Sequence, residues 1–584
     1  MSLALCTAAS AAEPTIAPEE IRPGMKGHGL TVFEGTEPQR FDVEVVAVVP
    51  NFVLRQSMIL IRADHPLTDR AGIIGGMSGS PIYIDGRLAG ALAYGWRFSK
   101  EPIAGVTPIR AMLDVIERDD LPFGAQARRR NEKGRLSRFR APLGDAPPRS
   151  KAGTYFRRFG SPSEERIAPA RTPLALSGFV GEARRLLSEA LAPFDIDPVQ
   201  GGGSGGEEGP TRFEPGSAIG VQLIRGDLSA TGIGTVTAVR DDRVLAFGHP
   251  MFNMGSGLLP VSTARIHTVI PSLNRSNKIG SPLAECGALV QDRIFGVLAR
   301  TDRRAPTIPV VFTLRDERGR RLDEYEVEML SHDLLTPRFL RAVLVSAIRD
   351  MASDMADVTA ELEARIEVSG RPPVTLYDSG TSRAGLLSLA GYFRPTSLVG
   401  EILRNPFEET ELEKLRFDVK LSYGRRVAEV VGAYLTSEEP LPGDLLNVHV
   451  RLRHYGSEEQ LTVVPVRVPE SAANRKIKIT VGGGDYVLPV IPEPQSLDDM
   501  LANASRHHPP QSLVVGIDIP GEGIELRGRV LERLPASAVS ALHPRAGFEQ
   551  IDIHHTAVRE VVPLDFLVAG QDSIQVEVGS RRER

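Results

Sequence analysis

Several residue types are scarce in this sequence of 584 residues, and each scarcity excludes a class of protein. The only cysteines are Cys6 and Cys286, and Cys6 lies in a segment shaped like a signal peptide, so the mature chain would form no internal disulfide. No run approaches the ~20 apolar residues of a membrane-spanning helix. Basic residues (69) nearly balance acidic ones (74), which argues against general nucleic-acid binding or another polyanionic partner.

Glycine and proline are abundant by contrast, with 56 and 44 residues, while aromatic residues make up only 5% of the chain. This composition favours many short strands joined by turns, so the predicted fold class is mainly β. The length suits roughly three to five domains, and one function need not cover all of them.

The N-terminal stretch MSLALCTAASAAEPTIAPEE contains an apolar run from Leu3 to Ala12 that ends in small residues before Glu13. This is the pattern of a signal peptide, although the positive charges that normally begin one are missing. We predict residues 1–12 as a signal peptide and an exported protein, either periplasmic or associated with the cell envelope. A single remaining cysteine is compatible with that location.

The rest of the chain divides into four predicted segments. Residues 21–122 alternate short β-like runs with turns and close on a helix at TPIRAMLDVIER. Residues 123–216 combine a basic linker, a helix at SGFVGEARRLLSEALAPF and the glycine-rich linker 201–210. Residues 217–360 form a second β-rich module with a closing helix. Residues 371–584 alternate as antiparallel strands do, which predicts a β-sandwich and a further small β unit.

The run GGMSGSP at 75–81, here called the serine loop, precedes a strand-turn-strand pattern. A serine nucleophile must be exposed, be deprotonated by a base and lie beside donors for the oxyanion. Glycines at 76 and 79 allow sharp turns, so we predict that the amides of Gly76 and Ser78 form an oxyanion hole. An ordinary structural turn is the alternative, and Ser80, which precedes a proline, is more typical of a structural hydroxyl.

The segment GMSGSPIYIDGRLAGALAYG resembles the G-D-S-G-G-P segment and following hairpin of chymotrypsin-like serine proteases. It is more closely similar to the G-M-S-G-S-P signature of the stage IV sporulation protein B family of serine peptidases. The resemblance implies a chymotrypsin-like double β-barrel with Ser78 as its nucleophile. Met77 replaces the aspartate of trypsin-like enzymes, so activation by a salt bridge to a freed N-terminus is not expected.

A second segment, VLAFGHPMF, is similar to the strand and Gly-His pair that bear the family's catalytic histidine, which implies that His249 is the base. In the family the histidine precedes the serine, whereas His249 follows Ser78, so the two half-barrels would be permuted. Triads are defined by geometry and not by chain order. His28 would restore the usual order, but we rank it second because PGMKGHG is typical of a turn before the first strand.

The acid of a triad has three candidates, Asp64, Asp69 and Asp292, and a Ser–His dyad is the alternative. No metal or cofactor is expected. The pairs His507–His508 and His554–His555 lack metal-ligand spacing, since adjacent strand residues point to opposite faces. The glycine-rich run 201–210 lacks the Lys-Ser/Thr of a phosphate loop.

The predicted function is a serine endopeptidase of the sporulation-protein type that acts on proteins of the cell envelope by Ser–His acyl-enzyme chemistry. Its substrate would be a protein or peptide, and the C-terminal β region would bind an envelope partner. The alternative is a protease-like envelope scaffold or binding protein with weak or lost catalysis. The permuted order and the unassigned acid keep that alternative open.

Overall fold

The protein is described by a computed structural model in two compact units. The described residues are 13–53, 56–96, 98–117, 168–169, 172–194, 196–203, 208–351, 357–382, 394–436, 439–489, 491–526, 529–532, 535, 537–538 and 552–580. Unit 1 comprises Met1–Thr307 and Glu326–Ser331, and unit 2 comprises Ile308–Tyr325 and His332–Arg584. The predicted signal peptide, the basic run after residue 125 and the centre of the glycine-rich linker lie outside the described residues.

Unit 1 begins with a closed six-stranded antiparallel barrel, the first barrel. Around it the strands follow the order first, second, third, sixth, fifth, fourth, and the fourth pairs with the first. Helix α1 (Pro66–Ala71) precedes the fourth strand, and α2 (Ile109–Ile116) follows the sixth. The strands are β1 (Lys26–Thr31), β2 (Gln39–Val53), β3 (Gln56–Asp64), β4 (Pro81–Ile84), β5 (Arg87–Gly95) and β6 (Ile103–Pro108).

The second barrel repeats this topology, with the same strand order and the same closure between its first and fourth strands. Before it come β7 (Ala168–Pro169), β8 (Pro173–Ser177), α3 (Gly181–Leu191) and β9 (Asp197–Gln200). The barrel strands are β10 (Ala218–Gly226), β11 (Ser229–Arg240), β12 (Arg243–Ala246), β13 (Gly255–Ile270), β14 (Asn277–Arg293) and β15 (Gly296–Arg300). Strand β8 pairs with β11, so part of the segment 123–216 belongs to this sheet.

The two barrels of unit 1 share apolar packing. The first barrel has its own core, which includes Phe41, Ile59 and Ile61. A separate cluster joins side chains of both barrels: Tyr83, Leu88, Ala91, Ile109, Met112, Val115, Ala238, Leu245, Val290 and Leu298. Helix α2 supplies three of these because its apolar residues recur every three or four positions and so form one buried face.

Unit 2 is also mainly β. Its first part contains β16 (Thr307–Arg315) from residue 308 on, β17 (Arg321–Leu330) up to residue 325, α4 (Thr336–Met351), β18 (Val358–Val368), β19 (Val374–Thr381), α5 (Arg394–Arg404) and β20 (Leu412–Tyr423). From Ala360 to Val368, strand β18 alternates between buried apolar and charged residues, as a strand with one buried face must.

The C-terminal part of unit 2 is a β-sandwich. One sheet contains β21 (Val427–Leu435), β22 (Leu445–His454), β23 (Glu459–Arg467) and β28 (Leu567–Ala569). The other contains β24 (Lys476–Gly483), β25 (Ser512–Leu526), β26 (Arg529–Glu532), β27 (Asp552–Pro563) and β29 (Gln571–Glu577), and α6 (Leu497–Ala504) precedes β25. Side chains of both sheets, among them Val448, Val464, Ile479 and Val515, form one core.

The predicted fold class is confirmed: the protein is mainly β, with a chymotrypsin-like double barrel and a C-terminal β-sandwich. Helices lie where the sequence predicted them, at α2, α3 and α4. The predicted segment limits remain predictions. Within the described part of the chain, none of the helices combines the length and the apolar character needed to cross a membrane.

Candidate functional site

The serine loop connects the third and fourth strands of the first barrel and has the sharp turns that its glycines predict. Gly76 and Gly79 have φ of 95° and 99°, a region that residues with a Cβ rarely adopt. Gly79 is also required by space, because a Cβ there would lie 1.8 Å from the carbonyl oxygen of Thr235. The backbone of the loop therefore packs directly on strand β11 of the second barrel.

Two N–H groups of the serine loop, those of Gly76 and Ser78, donate no hydrogen bond to any residue that the structure describes. The other four N–H groups of the run each donate to a backbone carbonyl: Gly75, Met77, Gly79 and Ser80. The two unengaged donors are the pair that the sequence predicted for an oxyanion hole. They lie on either side of a single residue, Met77, and the described residues use neither of them.

The orientation of these two donors is fixed by the carbonyl at the other end of each peptide. In a planar trans peptide the C=O and N–H point in opposite directions. The Gly75 carbonyl accepts the N–H of Lys278 at 3.0 Å, which turns the Gly76 N–H away from β14. The Met77 carbonyl accepts both the N–H (2.9 Å) and the hydroxyl (2.7 Å) of Ser80. The Ser78 N–H, which belongs to the same peptide, therefore points away from Ser80.

Ser80 thus has a structural hydroxyl, and its place in the G-M-S-G-S-P motif has a physical reason. Its Oγ donates to Met77 and fixes the peptide whose N–H belongs to Ser78. The sequence distinguished Ser80 from Ser78 only by the proline that follows it.

Ser78 itself is buried, with 0% of its surface exposed, and the expectation of an exposed loop is wrong. The reason is that the loop lies between the barrels, where the N–H of Thr235 donates to the Ser78 carbonyl at 2.8 Å. The Ser78 Oγ has no hydrogen-bond partner among the described residues. A buried hydroxyl without a partner costs free energy, and such groups are concentrated at functional sites.

His249 lies on the equivalent connection of the second barrel, between its third and fourth strands. We call residues 247–254 the histidine loop. His249 is 2% exposed, and its Nδ1 lies 2.8 Å from the carbonyl oxygen of Pro250. A carbonyl only accepts, so this contact places the proton on Nδ1 and makes Nε2 the basic nitrogen.

The structure brings the serine and histidine loops together at the junction of the barrels. A Cβ on Gly79 would lie 2.5 Å from the backbone nitrogen of Phe247, and one on Gly248 would lie 2.9 Å from the Cβ of Ala91 in β5. The hydroxyl of Thr107 in β6 donates to the Gly248 carbonyl at 2.7 Å. Each loop is therefore held by the opposite barrel.

Asp292, one of the three acid candidates, anchors the histidine loop. It is fully buried at the end of β14, where Oδ1 accepts the N–H of Met251 at 2.8 Å and Oδ2 accepts the N–H of Phe252 at 2.7 Å. Burial raises the pKa of Asp292 to about 6, although these backbone hydrogen bonds oppose the rise. Asp64 and Asp69 are both exposed.

We expect Asp292→Asn to lower turnover about 100-fold. The amide can offer only one oxygen to the three donors of the histidine loop, the N–H groups of Met251, Phe252 and Met254. A displacement of about 1 Å in a catalytic group can cost that much in rate. Steady-state kinetics on the purified variant measure this. Asp64→Asn and Asp69→Asn are the matched controls and should keep wild-type rates. Equal turnover rates for all three variants would show that Asp292 has no role in catalysis.

The turn predicted within PGMKGHG lies at its start, at Pro23 and Gly24, and His28, the second candidate base, follows it within strand β1. The glycines beside it serve close packing: a Cβ on Gly27 would lie 1.9 Å from the Tyr83 carbonyl, and one on Gly29 would lie 2.2 Å from the Phe41 ring. The His28 ring stacks on Tyr83 with centroids 5.0 Å apart. Burial, and secondarily the charge of Arg40, lowers the pKa of His28.

The described residues contain no group of three or more His, Cys, Asp or Glu side chains arranged to hold a metal ion. His507 and His508 have pKa values lowered mainly by burial, so the neutral forms are favoured there.

Comparison with protein-family models gave a match that covers the serine loop. Residues 7–111 match the family model described as SpoIVB peptidase S55. Neither the curated proteins nor the solved structures gave a match. The matched family consists of serine peptidases, which act on proteins, and the match includes all of the serine loop but not His249. The segment of the chain that carries Ser78 is therefore similar to the SpoIVB peptidase S55 family of serine peptidases.

Proposed function

We propose that this protein is a serine endopeptidase that uses Ser78 as nucleophile and His249 as general base, and that it acts on proteins of the cell envelope. The observation that carries the proposal is the pair of unengaged, oriented N–H groups of Gly76 and Ser78 beside the Ser78 hydroxyl. A structural glycine turn has no need to leave two adjacent donors unused in a buried loop.

Each chemical step has a group in the site. Nε2 of His249 accepts the Ser78 proton as Oγ attacks the scissile carbonyl carbon, and the resulting oxyanion accepts the N–H groups of Gly76 and Ser78. The imidazolium then protonates the leaving amine as the peptide bond breaks. Water, deprotonated by the same histidine, hydrolyses the acyl-enzyme and restores Ser78.

The carbonyl of Pro250 orients the histidine in this scheme, and Asp292 orients the loop that carries both. We therefore propose a Ser–His dyad supported by a buried carboxylate, one of the two alternatives left open by the sequence. Loss of one oxyanion donor typically lowers the rate ~100- to 1000-fold, so the fixed orientation of the loop matters as much as the base.

The cell envelope is proposed as the location because of the apolar, small-residue pattern at positions 3–12. We propose that the C-terminal sandwich binds a partner in the cell envelope. Its outer face carries exposed apolar side chains on β22 and β23, with Leu445 58%, Leu461 49% and Val463 45% exposed. Leu461 and Val463 lie two residues apart on one face of β23, and this exposed apolar pair is what supports a binding surface there.

The alternative, an envelope scaffold with weak or lost catalysis, is favoured by one observation. The Ser78 hydroxyl is buried, so substrate can reach it only if the residues covering it move. Reactivity of that hydroxyl therefore separates the two functions.

A fluorescent fluorophosphonate applied to fractionated cells tests the proposal. We expect the probe to label the wild-type protein in the envelope or periplasmic fraction and to leave Ser78→Ala unlabelled, because the probe phosphonylates only an activated serine. Labelling of both proteins alike, or of neither, would support the scaffold. A labelled protein confined to the cytoplasm would contradict the envelope location alone.

A further inference from the structure

Lys278, at the start of β14, is completely buried in unit 1. Its Nζ donates to the Thr31 hydroxyl at 2.7 Å and to the Thr235 hydroxyl at 3.5 Å, and no carboxylate of the described residues forms an ion pair with it. Buried lysines without an acidic partner are rare because burial disfavours the charge. Burial lowers the pKa of Lys278 to about 7.

The side chain of Lys278 lies against the serine loop. A Cβ on Gly76 would lie 3.0 to 3.3 Å from the Cβ, Cγ and Cδ atoms of Lys278. Beyond this stem, Thr235 holds the loop at two points: its hydroxyl donates to the Gly76 carbonyl at 2.8 Å, and its N–H donates to the Ser78 carbonyl. The amine of Lys278 is therefore connected to the serine loop by hydrogen bonds through one side chain, that of Thr235.

The hydroxyl of Thr235 has only one proton and two possible acceptors. Besides the Gly76 carbonyl, the Thr31 hydroxyl lies 3.4 Å away. Lys278 donates to the Thr31 hydroxyl at 2.7 Å and so occupies one of the two lone pairs of that oxygen, which makes Thr31 a poorer acceptor for the Thr235 proton than the Gly76 carbonyl. An apolar side chain at 278 would let Thr235 donate to Thr31 and release the peptide between Gly76 and Met77.

We propose that Lys278 is a positioning residue for the peptidase reaction, which holds the oxyanion-binding part of the serine loop in place through Thr235. The inference rests on the proposed function, since the loop must bind an oxyanion for its position to matter. Lys278 does not touch the reacting atoms. It acts on the peptide that lies between the two N–H donors.

The test compares Lys278→Met, Thr235→Val and their double variant by the second-order rate of fluorophosphonate labelling at Ser78, with Tm measured alongside. Both single variants are expected to react about 10- to 100-fold more slowly. The double variant should be no slower than the slower single, because both changes break one chain of contacts. Lys26→Met, on an exposed lysine of β1, should react at the wild-type rate.

The Tm separates positioning from support of the fold. Lys278→Met removes a buried amine and should leave Tm unchanged or raise it, so a slower rate at an undiminished Tm supports the inference. A Tm that falls in step with the rate, multiplied effects in the double variant, or a wild-type rate for Lys278→Met would overturn it. Thr235→Val decides the matter if Lys278→Met does not fold. Failure of the wild-type protein to label at Ser78 would instead reject the proposed function.

Discussion

Ser78→Ala and His249→Ala are each expected to lower peptidase activity by at least ~1000-fold, and the double variant should be scarcely worse than either single. Members of one catalytic unit are grossly non-additive, because the second loss removes a group that no longer has anything to act on. Steady-state turnover of a protein substrate measures all three variants.

The Ser78→Ala variant should lose activity without losing stability. The Ser78 hydroxyl is buried without a partner among the described residues, so its removal should leave Tm unchanged or raise it slightly. His28→Ala is the control that separates the two candidate histidines, and turnover should survive it. Loss of activity in His28→Ala with activity retained in His249→Ala would restore the usual chain order and reject our assignment of the base.

Gly79→Ala is expected to destabilise unit 1 by about 3 kcal/mol or more. The new Cβ would lie 1.8 Å from the Thr235 carbonyl oxygen and 2.5 Å from the Phe247 nitrogen, and both atoms belong to backbone that cannot rotate away. The residue would also have to keep a φ of 99°, which adds strain. Thermal unfolding and the yield of folded protein measure the loss.

Gly86→Ala is the matched control for this substitution. Gly86 has a φ of 73°, but nothing lies within 4 Å of the Cβ that it would gain. It therefore reports backbone strain alone, which costs about 1–2 kcal/mol. If both variants lose the same stability, the contact between the serine loop and the second barrel is looser than the distances indicate.

Much of the local structure follows from the sequence. The hairpin after the serine loop, helices α2 and α4 and the alternating strands of the sandwich all lie where periodicity and turn residues predict them. The turns at Gly76 and Gly79 were also predictable, since only glycine adopts such φ values freely. These features depend on neighbours a few residues away, and the sequence contains that information directly.

A glycine in a sequence has two physical explanations, a turn or the close approach of a neighbouring chain. In GMKGHG the glycines predicted a turn, yet Gly27 and Gly29 lie in a strand where a neighbouring strand and a ring approach too closely for a Cβ. A glycine-rich stretch has the same composition whether its glycines form a turn or allow close packing in a strand. Only the position of the other strands of the barrel distinguishes them.

By itself, the sequence determined that the protein is mainly β, and it singled out the segments that contain Ser78 and His249. Only the tertiary structure decided that Ser78 is buried, that Asp292 anchors the histidine loop, and that Lys278 lies against Gly76. Lys278 is about 200 residues from the serine loop and belongs to no motif. Its contacts arise because each barrel closes on itself and then packs on the other, and the closure of a sheet depends on pairings across the whole chain.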